Sequence, residues 1–225
     1  MLPVLRTLMA ALLLAAACPA AVFAASFEKG LRVGANYANF RGEFADLADT
    51  KAMIGFAGGA FVALEVSPNL AVQTEVLFTR KGAKMTSEAT DEAGNPLGSF
   101  DTFIRVDYLE VPVLLRGTLL ATPAVQPMIY AGPTFGFPLQ GKLVTDYAGV
   151  PDVKLEDLES VDFGAAFGLG IGARLAGHRL FADLRYTTGF GDIFHRDRST
   201  RFQWWFEPVA NSVNSVYSLS VGIGF

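Results

Sequence analysis

The sequence predicts an all-β protein, namely an eight-stranded antiparallel up-and-down transmembrane β-barrel. Three observations favour this class: apolar side chains alternate with small or polar ones along eight stretches, short turns alternate with long loops between them, and the chain ends on an alternating strand. Side chains of a strand point to two faces in turn, so such alternation indicates a two-faced strand. A transmembrane β-strand needs about 9–11 residues, and each stretch is long enough.

The last strand carries the clearest alternation. Large apolar or aromatic residues share one parity, and glycine or serine occupies the other; the large residues are Tyr217, Leu219, Val221, Ile223 and Phe225. Few soluble proteins end on an apolar strand, because chain termini usually fray. Bacterial outer-membrane barrels commonly do, and a strand that closes a barrel needs no protected edge. We therefore expect these five residues to act as an assembly signal.

The N-terminus predicts export. Arg6 is followed by an apolar run over 8–17 and by Val-Phe-Ala at 22–24, which is the pattern of a signal peptide cleaved after Ala24. The apolar run is too short for a transmembrane anchor. Cys18 leaves lipoprotein processing as an alternative, although the leucine usually found three residues before such a cysteine is absent.

Composition bounds the mature chain. The predicted organisation is a signal peptide over 1–24 and one outer-membrane barrel domain over 25–225, since about 200 residues are rather few for two domains. Cys18 is the only cysteine, so the mature chain would have no disulfide and no thiolate metal site. Of 18 basic and 22 acidic residues, only Arg6 is removed, and the resulting charge of −5 does not suggest a nucleic-acid partner.

Turn and loop lengths set the predicted topology. The predicted strands are 29–40, 53–66, 69–81, 103–118, 125–139, 162–175, 179–192 and 212–225. The tight turns are 67–69, 121–123 and 176–178, and the longer polar loops are 41–52, 82–102, 140–161 and 193–211. Short turns at one rim and long loops at the other are typical of a transmembrane barrel, and an even strand count puts both termini at the periplasmic rim.

Alternation alone does not tell which face lies outside, because a soluble lipocalin-like barrel has the same period with an apolar interior. The composition of the second face favours the membrane. A face in water would be dense in lysine and glutamate, but here glycine, serine, threonine and alanine dominate, with a few charges. We therefore expect the apolar face in lipid and a lumen filled by side chains, with no open pore.

Five charged residues carry the lumen parity: Glu75, Glu110, Arg116, Asp183 and Arg185. Charges in a low-dielectric interior must be paired, and both signs are present, so we expect a salt-bridge network that fills the barrel. A proton or substrate site is the alternative, since charges inside a membrane commonly mark function.

The last long loop contains the densest aromatic cluster, Trp204, Trp205 and Phe206. Aromatic residues of a barrel belong at the membrane–water interface, so we interpret the cluster as an aromatic girdle, with a sugar- or peptide-stacking platform as the alternative. His195 lies near an aspartate and a serine, but a catalytic triad is recognised by spatial geometry, and a solvated loop histidine is the simpler interpretation.

No cofactor is expected. The chain has two histidines, His178 and His195, and no cysteine after the predicted cleavage site, which gives poor support to a transition-metal site. Acidic residues are present in the loops, but none of the loops has the regular spacing of a calcium motif.

Several segments together resemble the PorT-like family of small outer-membrane β-barrel proteins. The segment 75–84 resembles the family's "E-L-x-x-S-x-K-G" strand end, and 108–116, which reads Tyr-Leu-Glu-Val-Pro-Val-Leu-Leu-Arg, is similar to its "Y-L-E-I-P-L-L-L-K" strand. The segments 130–133, 162–170 and 221–225 are similar to its "Y-x-G-P", "D-x-G…G-x-G" and terminal strands. The resemblance implies a barrel in the outer membrane of a Gram-negative bacterium.

The predicted role is that of a non-enzymatic structural protein or interaction scaffold with long extracellular loops. Its expected partners are outer-membrane lipid and lipopolysaccharide, the barrel-assembly machinery during biogenesis, and an unidentified protein at the loops. Arg196, Arg198 and Arg201 could pair with lipopolysaccharide phosphates, and ordinary solvation is the alternative. Two further functions stay open: a lipid-modifying outer-membrane enzyme and a periplasmic lipocalin-like carrier.

Overall fold

The computed structural model describes residues 26–193 and 212–225, apart from positions 43, 44, 47, 92, 94, 120–124, 148, 156 and 157. The predicted signal peptide, the turn at 121–123, His195 and the aromatic cluster Trp204, Trp205 and Phe206 lie outside the described residues. Within the described part of the chain, no helix is long and apolar enough to cross a membrane.

The described chain forms β-strands. They are β1 (Ser26–Arg41), β2 (Lys51–Ser67), β3 (Leu70–Thr90), β4 (Pro96–Thr118), β5 (Gln126–Thr145), β6 (Val153–Leu155), β7 (Asp162–Leu175), β8 (His178–Gly189) and β9 (Val213–Gly224). Eight long strands pair antiparallel into a ring in the order β1-β2-β3-β4-β5-β7-β8-β9, and the short β6 pairs with the outer part of β5. The predicted eight-stranded up-and-down barrel is therefore confirmed.

The ring closes between β1 and β9. Their register runs from Gly30 opposite Gly224 to Arg41 opposite Val213. At the rim, the Phe225 N–H donates to the Lys29 carbonyl at 2.8 Å, and the Lys29 N–H donates to the Phe225 carbonyl at 3.1 Å. A closed ring pairs its backbone groups between strands and leaves no edge, which is what a strand-built membrane protein requires.

The apolar face of the ring points outward. Leu31, Phe167, Leu184 and Leu219 each expose more than half of their surface, at 55%, 54%, 54% and 63%. The opposite parity is buried and contains many polar or charged side chains, including Gln73 at 1% exposure. This arrangement is the reverse of a lipocalin-like barrel, where the apolar face lines the interior.

Outward aromatic side chains form two groups that sequence inspection missed. The groups are Tyr37, Tyr186 and Tyr217, on neighbouring strands in register, and Phe135, Phe163 and Phe190. The Tyr186 and Tyr217 ring centroids lie 4.9 Å apart, and those of Phe163 and Phe190 lie 5.7 Å apart. Each member is isolated in sequence, so only the register of the sheet reveals the groups.

The strands extend further than predicted at the loop rim. The segment 82–102 was expected to be a loop, but β3 continues to Thr90 and β4 begins at Pro96. Part of the expected loop 140–161 also lies in β5 and β6. The outward side chains become polar here, but β3 and β4 stay paired. Polar side chains opposite one another stabilise this part of the sheet, as apolar pairs do further down.

One such polar contact joins β3 to β4. Lys84 Nζ lies 2.9 Å from Asp101 Oδ2, and the Thr86 hydroxyl donates to Asp101 Oδ1 at 2.7 Å. The hydrogen bond from Lys84, followed by that from Thr86, holds the pKa of the Asp101 carboxyl below its usual value. The contact lies beyond the apolar band, where the hairpin stands above the membrane.

The interior of this extension is apolar. Its buried cluster consists of Phe40, Ala83, Met85, Ile104, Leu155 and Ile193. These residues come from four strands, β1, β3, β4 and β6, and from the segment after β8, so the cluster forms only when the ring closes. It covers the outer end of the polar lumen.

Candidate functional site in the barrel interior

Charged side chains of both signs fill the membrane-level interior. Among the described residues, nine charged side chains are at most 8% exposed, and Glu28 joins them with 14% of its side chain exposed. The cations are Arg32, Lys81, Arg116, Arg179 and Arg185, and the acids are Glu28, Glu75, Glu110, Asp162 and Asp183. These five cations and five acids balance, as burial in a low-dielectric interior requires.

The central cluster contains two cations and two carboxylates. Arg32 Nη1 lies 3.0 Å from both carboxylate oxygens of Glu75, and Arg32 Nη2 lies 2.8 Å from Asp183 Oδ1. Arg185 Nη2 lies 2.9 Å from Glu75 Oε1, and Arg185 Nε lies 3.2 Å from Asp183 Oδ1. Arg32 Nη2 also donates to the Ser220 hydroxyl. The cluster therefore joins β1, β3, β8 and β9 across the lumen.

Small and aromatic neighbours support the central cluster. The Arg185 guanidinium carbon lies 4.5 Å from the Tyr130 ring centroid, a cation–π contact. A Cβ atom at Gly168 would lie 2.7 Å from Arg185 Cγ, so glycine leaves the space that the long arginine occupies. Glycines on the lumen face thus allow large side chains to cross a narrow barrel.

An outer cluster lies nearer the loop rim. Lys81 Nζ is 2.5 Å from Glu110 Oε2 and 3.8 Å from Asp162 Oδ2. Asn214 Nδ2 donates to Asp162 Oδ2 at 2.7 Å and to the Tyr108 hydroxyl at 3.2 Å. One cation therefore faces two carboxylates, and the asparagine amide satisfies part of the surplus.

An inner cluster lies near the turn rim. The Glu28 carboxylate sits between two cations, with Arg116 Nη2 at 2.9 Å and Arg179 Nη2 at 2.7 Å. Arg116 Nη1 donates to Gln73 Oε1 at 2.9 Å, and Gln73 Nε2 donates to Glu75 Oε1 at 2.6 Å, which links the inner and central clusters. A cavity of about 250 Å³ opens below Arg116 and Arg179 toward the rim.

The structure distributes the five predicted lumen residues over all three clusters. It brings Glu75, Asp183 and Arg185 together, and it places Glu110 in the outer cluster and Arg116 in the inner one. Each is buried at 6% exposure or less.

Sequence inspection missed half of the charged interior: Glu28, Arg32, Lys81, Asp162 and Arg179. Arg32 has the right parity in β1, but alanine occurs on both faces of this strand, which weakens its alternation. The other four lie at or near the ends of the predicted strands, where a charge is normally solvated. Extending the alternation of each strand by a few residues beyond its predicted end would have assigned these four side chains to the lumen.

The residues predicted as an assembly signal lie on the outward face of β9. Tyr217, Leu219 and Val221 are 54%, 63% and 55% exposed, and Phe225 is 50% exposed. Ile223 shares their parity and is partly exposed. All five therefore face the lipid side of the strand that pairs with β1 and β8.

The sequence matches the outer membrane protein beta-barrel domain family over residues 20–195. The match covers most of the chain, so the chain belongs to this family. A closed ring with an apolar outer face and a charged interior agrees with that membership, and the protein is located in the outer membrane of a Gram-negative bacterium. No curated protein matches the chain.

Several solved structures are similar in fold. Neisserial surface protein A is 14% identical, with 89% of this chain and 99% of that chain covered and a TM-score of 0.48. OprG from Pseudomonas aeruginosa is 13% identical, with coverages of 89% and 97% and a TM-score of 0.41. The outer membrane protease OmpT from Escherichia coli is 10% identical, with coverages of 88% and 96% and a TM-score of 0.41.

Proposed function

We propose that the protein is a non-catalytic outer-membrane barrel that acts as a structural element or interaction scaffold with a closed lumen. The observation that carries this proposal is the pairing of the interior charges with one another. A substrate or proton path across the membrane would need an unpaired charge at the barrel centre, whereas the central cluster engages both carboxylates with both arginines. The cavity at the turn rim ends at Arg116 and Arg179, and both of these arginines pair with Glu28.

Two layers support a closed lumen. The central cluster spans the ring, and a void beside it has a volume of about 30 Å³, which leaves room for about two waters. Above it, the apolar cluster around Met85 and Ile104 fills the extended part of the barrel. A hydrated path would have to break ion pairs at one level and wet an apolar layer at the next.

The extended hairpin supports the scaffold role. Because β3 and β4 continue to Thr90 and from Pro96, they raise a paired ribbon beyond the apolar band. A rigid ribbon presents side chains to a partner at lower ordering cost than a flexible loop. We propose an unidentified protein partner at this outer surface, lipid and lipopolysaccharide around the wall, and the barrel-assembly machinery during biogenesis.

A closer relation to the PorT-like members is part of the proposal. Segments that carry that resemblance supply Lys81, Tyr108, Glu110 and Asp162, and these side chains meet in the outer cluster. Shared motifs would then specify a lumen filling common to the group. We also propose cleavage of the signal peptide after Ala24.

Conductance in planar bilayers tests the closed lumen. We expect no stable channel from the monomeric protein, since eight strands enclose little more than their own side chains. A control variant, Arg80→Ser with Asp107→Ser, removes an outward ion pair of 2.7 Å. It should also form no stable channel. A steady, large and reproducible conductance from the wild-type monomer would contradict the proposal.

Catalysis is tested separately. Purified protein incubated with radiolabelled lipid A should leave the lipid unchanged in chain number and in phosphate content. Release or transfer of an acyl chain, abolished by His195→Ala, would support the lipid-modifying enzyme instead.

A further inference from the structure

Three cations lie side by side on the outer surface of the extended barrel. Arg105 on β4 pairs in register with Lys142 on β5, and Lys142 pairs with Lys154 on β6. Directly opposed residues have Cβ atoms about 4.5–5.5 Å apart and project to the same face. Since the neighbouring Ile104 and Leu155 belong to the buried apolar cluster, the three cations face outward.

The row lies just beyond the lipid-facing band. Along β4, Arg105 precedes the exposed Leu109 by four residues, and along β5, Lys142 follows the exposed Leu139 by three. With about 3.3 Å per residue and a strand tilt near 40°, the row stands roughly 8–10 Å above Leu109 and Leu139. That height places the row at the outer limit of the polar headgroup layer, which adds about 5–8 Å on each side of the hydrocarbon core.

The charges of the row are not compensated by the described residues around it. Nearby cations have partners: Arg80 binds Asp107 at 2.7 Å, and Lys84 binds Asp101 at 2.9 Å. Arg105, by contrast, has a buried Nε atom without a hydrogen-bond acceptor.

Like charges opposed on adjacent strands destabilise a sheet. Two described acids lie two residues from the row, Asp107 after Arg105 and Asp152 before Lys154, and Asp107 is paired with Arg80. The Arg105 guanidinium carbon lies 4.9 Å from the Phe103 ring centroid, a contact that orients the guanidinium without neutralising it. The row therefore offers a site for an anion that is not part of the described chain.

We propose that Arg105, Lys142 and Lys154 bind the phosphate groups of lipid A in the outer leaflet. This inference makes the proposed lipopolysaccharide contact specific and rests on the outer-membrane location, independently of the closed lumen. A phosphate monoester carries up to two negative charges and three acceptor oxygens, and an arginine fork at the end of a row with two ammonium groups matches it. The acyl chains of the same lipid would lie against the apolar band below.

Binding of purified lipid A to the detergent-solubilised full-length protein tests the site. In the variant Arg105→Gln with Lys142→Gln and Lys154→Gln, we expect about 100-fold weaker binding, since each basic group near an anionic lipid contributes about fivefold. Lipid A from which the phosphates have been removed should bind the wild type equally weakly. Binding of intact lipid A should also weaken with added salt, because Lys154 is exposed and Arg105 and Lys142 are partly exposed.

A charge-matched control removes three exposed cations elsewhere on the barrel, with Lys29→Gln, Arg41→Gln and Arg174→Gln. It should keep wild-type affinity, and the conductance of both variants should remain that of the wild type. Heat-modifiable gel migration reports whether each variant is folded.

Three outcomes would overturn the proposal: wild-type affinity in the first variant, equal weakening in both variants, or equal competition by phosphatidylglycerol at the same total charge. The last would assign the row to general attraction for anionic lipid. Should the triple variant fail to fold, Lys154→Gln is compared with Arg41→Gln, both at exposed positions, and an equal affinity of the two would likewise overturn the proposal.

Discussion

Arg185 and Glu75 form a two-point ion pair across the barrel. Arg185 Nη1 lies 2.9 Å from Glu75 Oε2, and Nη2 lies 2.9 Å from Glu75 Oε1. Their strands, β8 and β3, are four steps apart in a ring of eight, so the pair connects opposite walls. A planar guanidinium that meets both carboxylate oxygens has the strongest geometry available to an ion pair. The lumen is thus tied across its width as well as along its wall.

Removal of Arg185 should destabilise the barrel strongly. Arg185→Met leaves Glu75 and Asp183 to share Arg32, and removal of one partner from a buried pair costs about 3–5 kcal/mol. Urea titration in lipid vesicles, followed by heat-modifiable migration, measures the free energy of unfolding. Arg80→Met is the matched control, since its outward ion pair, with 40% of the arginine side chain exposed, should contribute at most about 1 kcal/mol. Equal losses would contradict the assigned role of the central cluster.

The outer cluster has two carboxylates and one cation, so stability should fall much more when the cation is removed than when one carboxylate is neutralised. Lys81→Met leaves Glu110 and Asp162 buried without their cation, and we expect a loss of about 3–5 kcal/mol. Glu110→Gln removes one surplus charge and keeps a hydrogen-bond acceptor for Lys81, so its cost should stay below about 1.5 kcal/mol. The same unfolding assay compares the two variants. A larger loss for Glu110→Gln would reject the charge count.

The two faces of β4 should differ in their tolerance of charge. Val111 has the outward parity of Leu109 and Leu115, so Val111→Arg should cost about 2–4 kcal/mol near the bilayer midplane. Val111→Leu controls for the change of side chain and should be nearly neutral. If Val111→Arg were silent while Glu110→Gln was strongly destabilising, the assignment of the faces would be inverted.

Gly82 and Gly98 separate backbone strain from crowding. Both have positive φ, at 148° and 135°. A Cβ atom at Gly82 would overlap the Ile104 carbonyl oxygen, whereas no atom lies within 4 Å of a Cβ at Gly98. Strain alone costs about 1–3 kcal/mol, and crowding of a packed site adds about 1–3 kcal/mol more. Unfolding measurements should therefore rank Gly82→Ala below Gly98→Ala in stability, and the reverse order would be inconsistent with the close approach of β3 to β4.

Phe225 should be required for assembly rather than for export. Phe225→Asp places a charge at the end of the closing strand, and we expect normal passage into the periplasm with little folded protein in the outer membrane. Phe27→Asp is the matched control, because Phe27 is an exposed aromatic residue, at 69%, near the same rim on β1. Fractionation and heat-modifiable migration measure both steps. Normal membrane levels of Phe225→Asp, or equal losses in both variants, would remove the special role of the terminal residue.

The sequence by itself determined the class of fold, the membrane face and the location. Period-two parity is local, so each strand alone shows that Leu109 and Val111 lie on one face and that Glu75 and Arg185 lie on the other; the scarcity of lysine and glutamate on the second face then assigned the apolar face to lipid. Strand ends were less readable. The hairpin over 82–102 is held by pairing such as Lys84 with Asp101, and hydropathy carries no trace of that pairing.

Only the tertiary structure decided which interior charges meet. Glu75 and Asp183 lie 43 and 151 residues from Arg32, and their encounter depends on the tilt and stagger with which eight strands close. The same closure brings Lys81 and Asp162 together and sets Arg105 beside Lys142 and Lys154. Parity fixes the face of a residue because it depends on one strand, whereas height and partner depend on the register of the whole ring, which no single strand encodes.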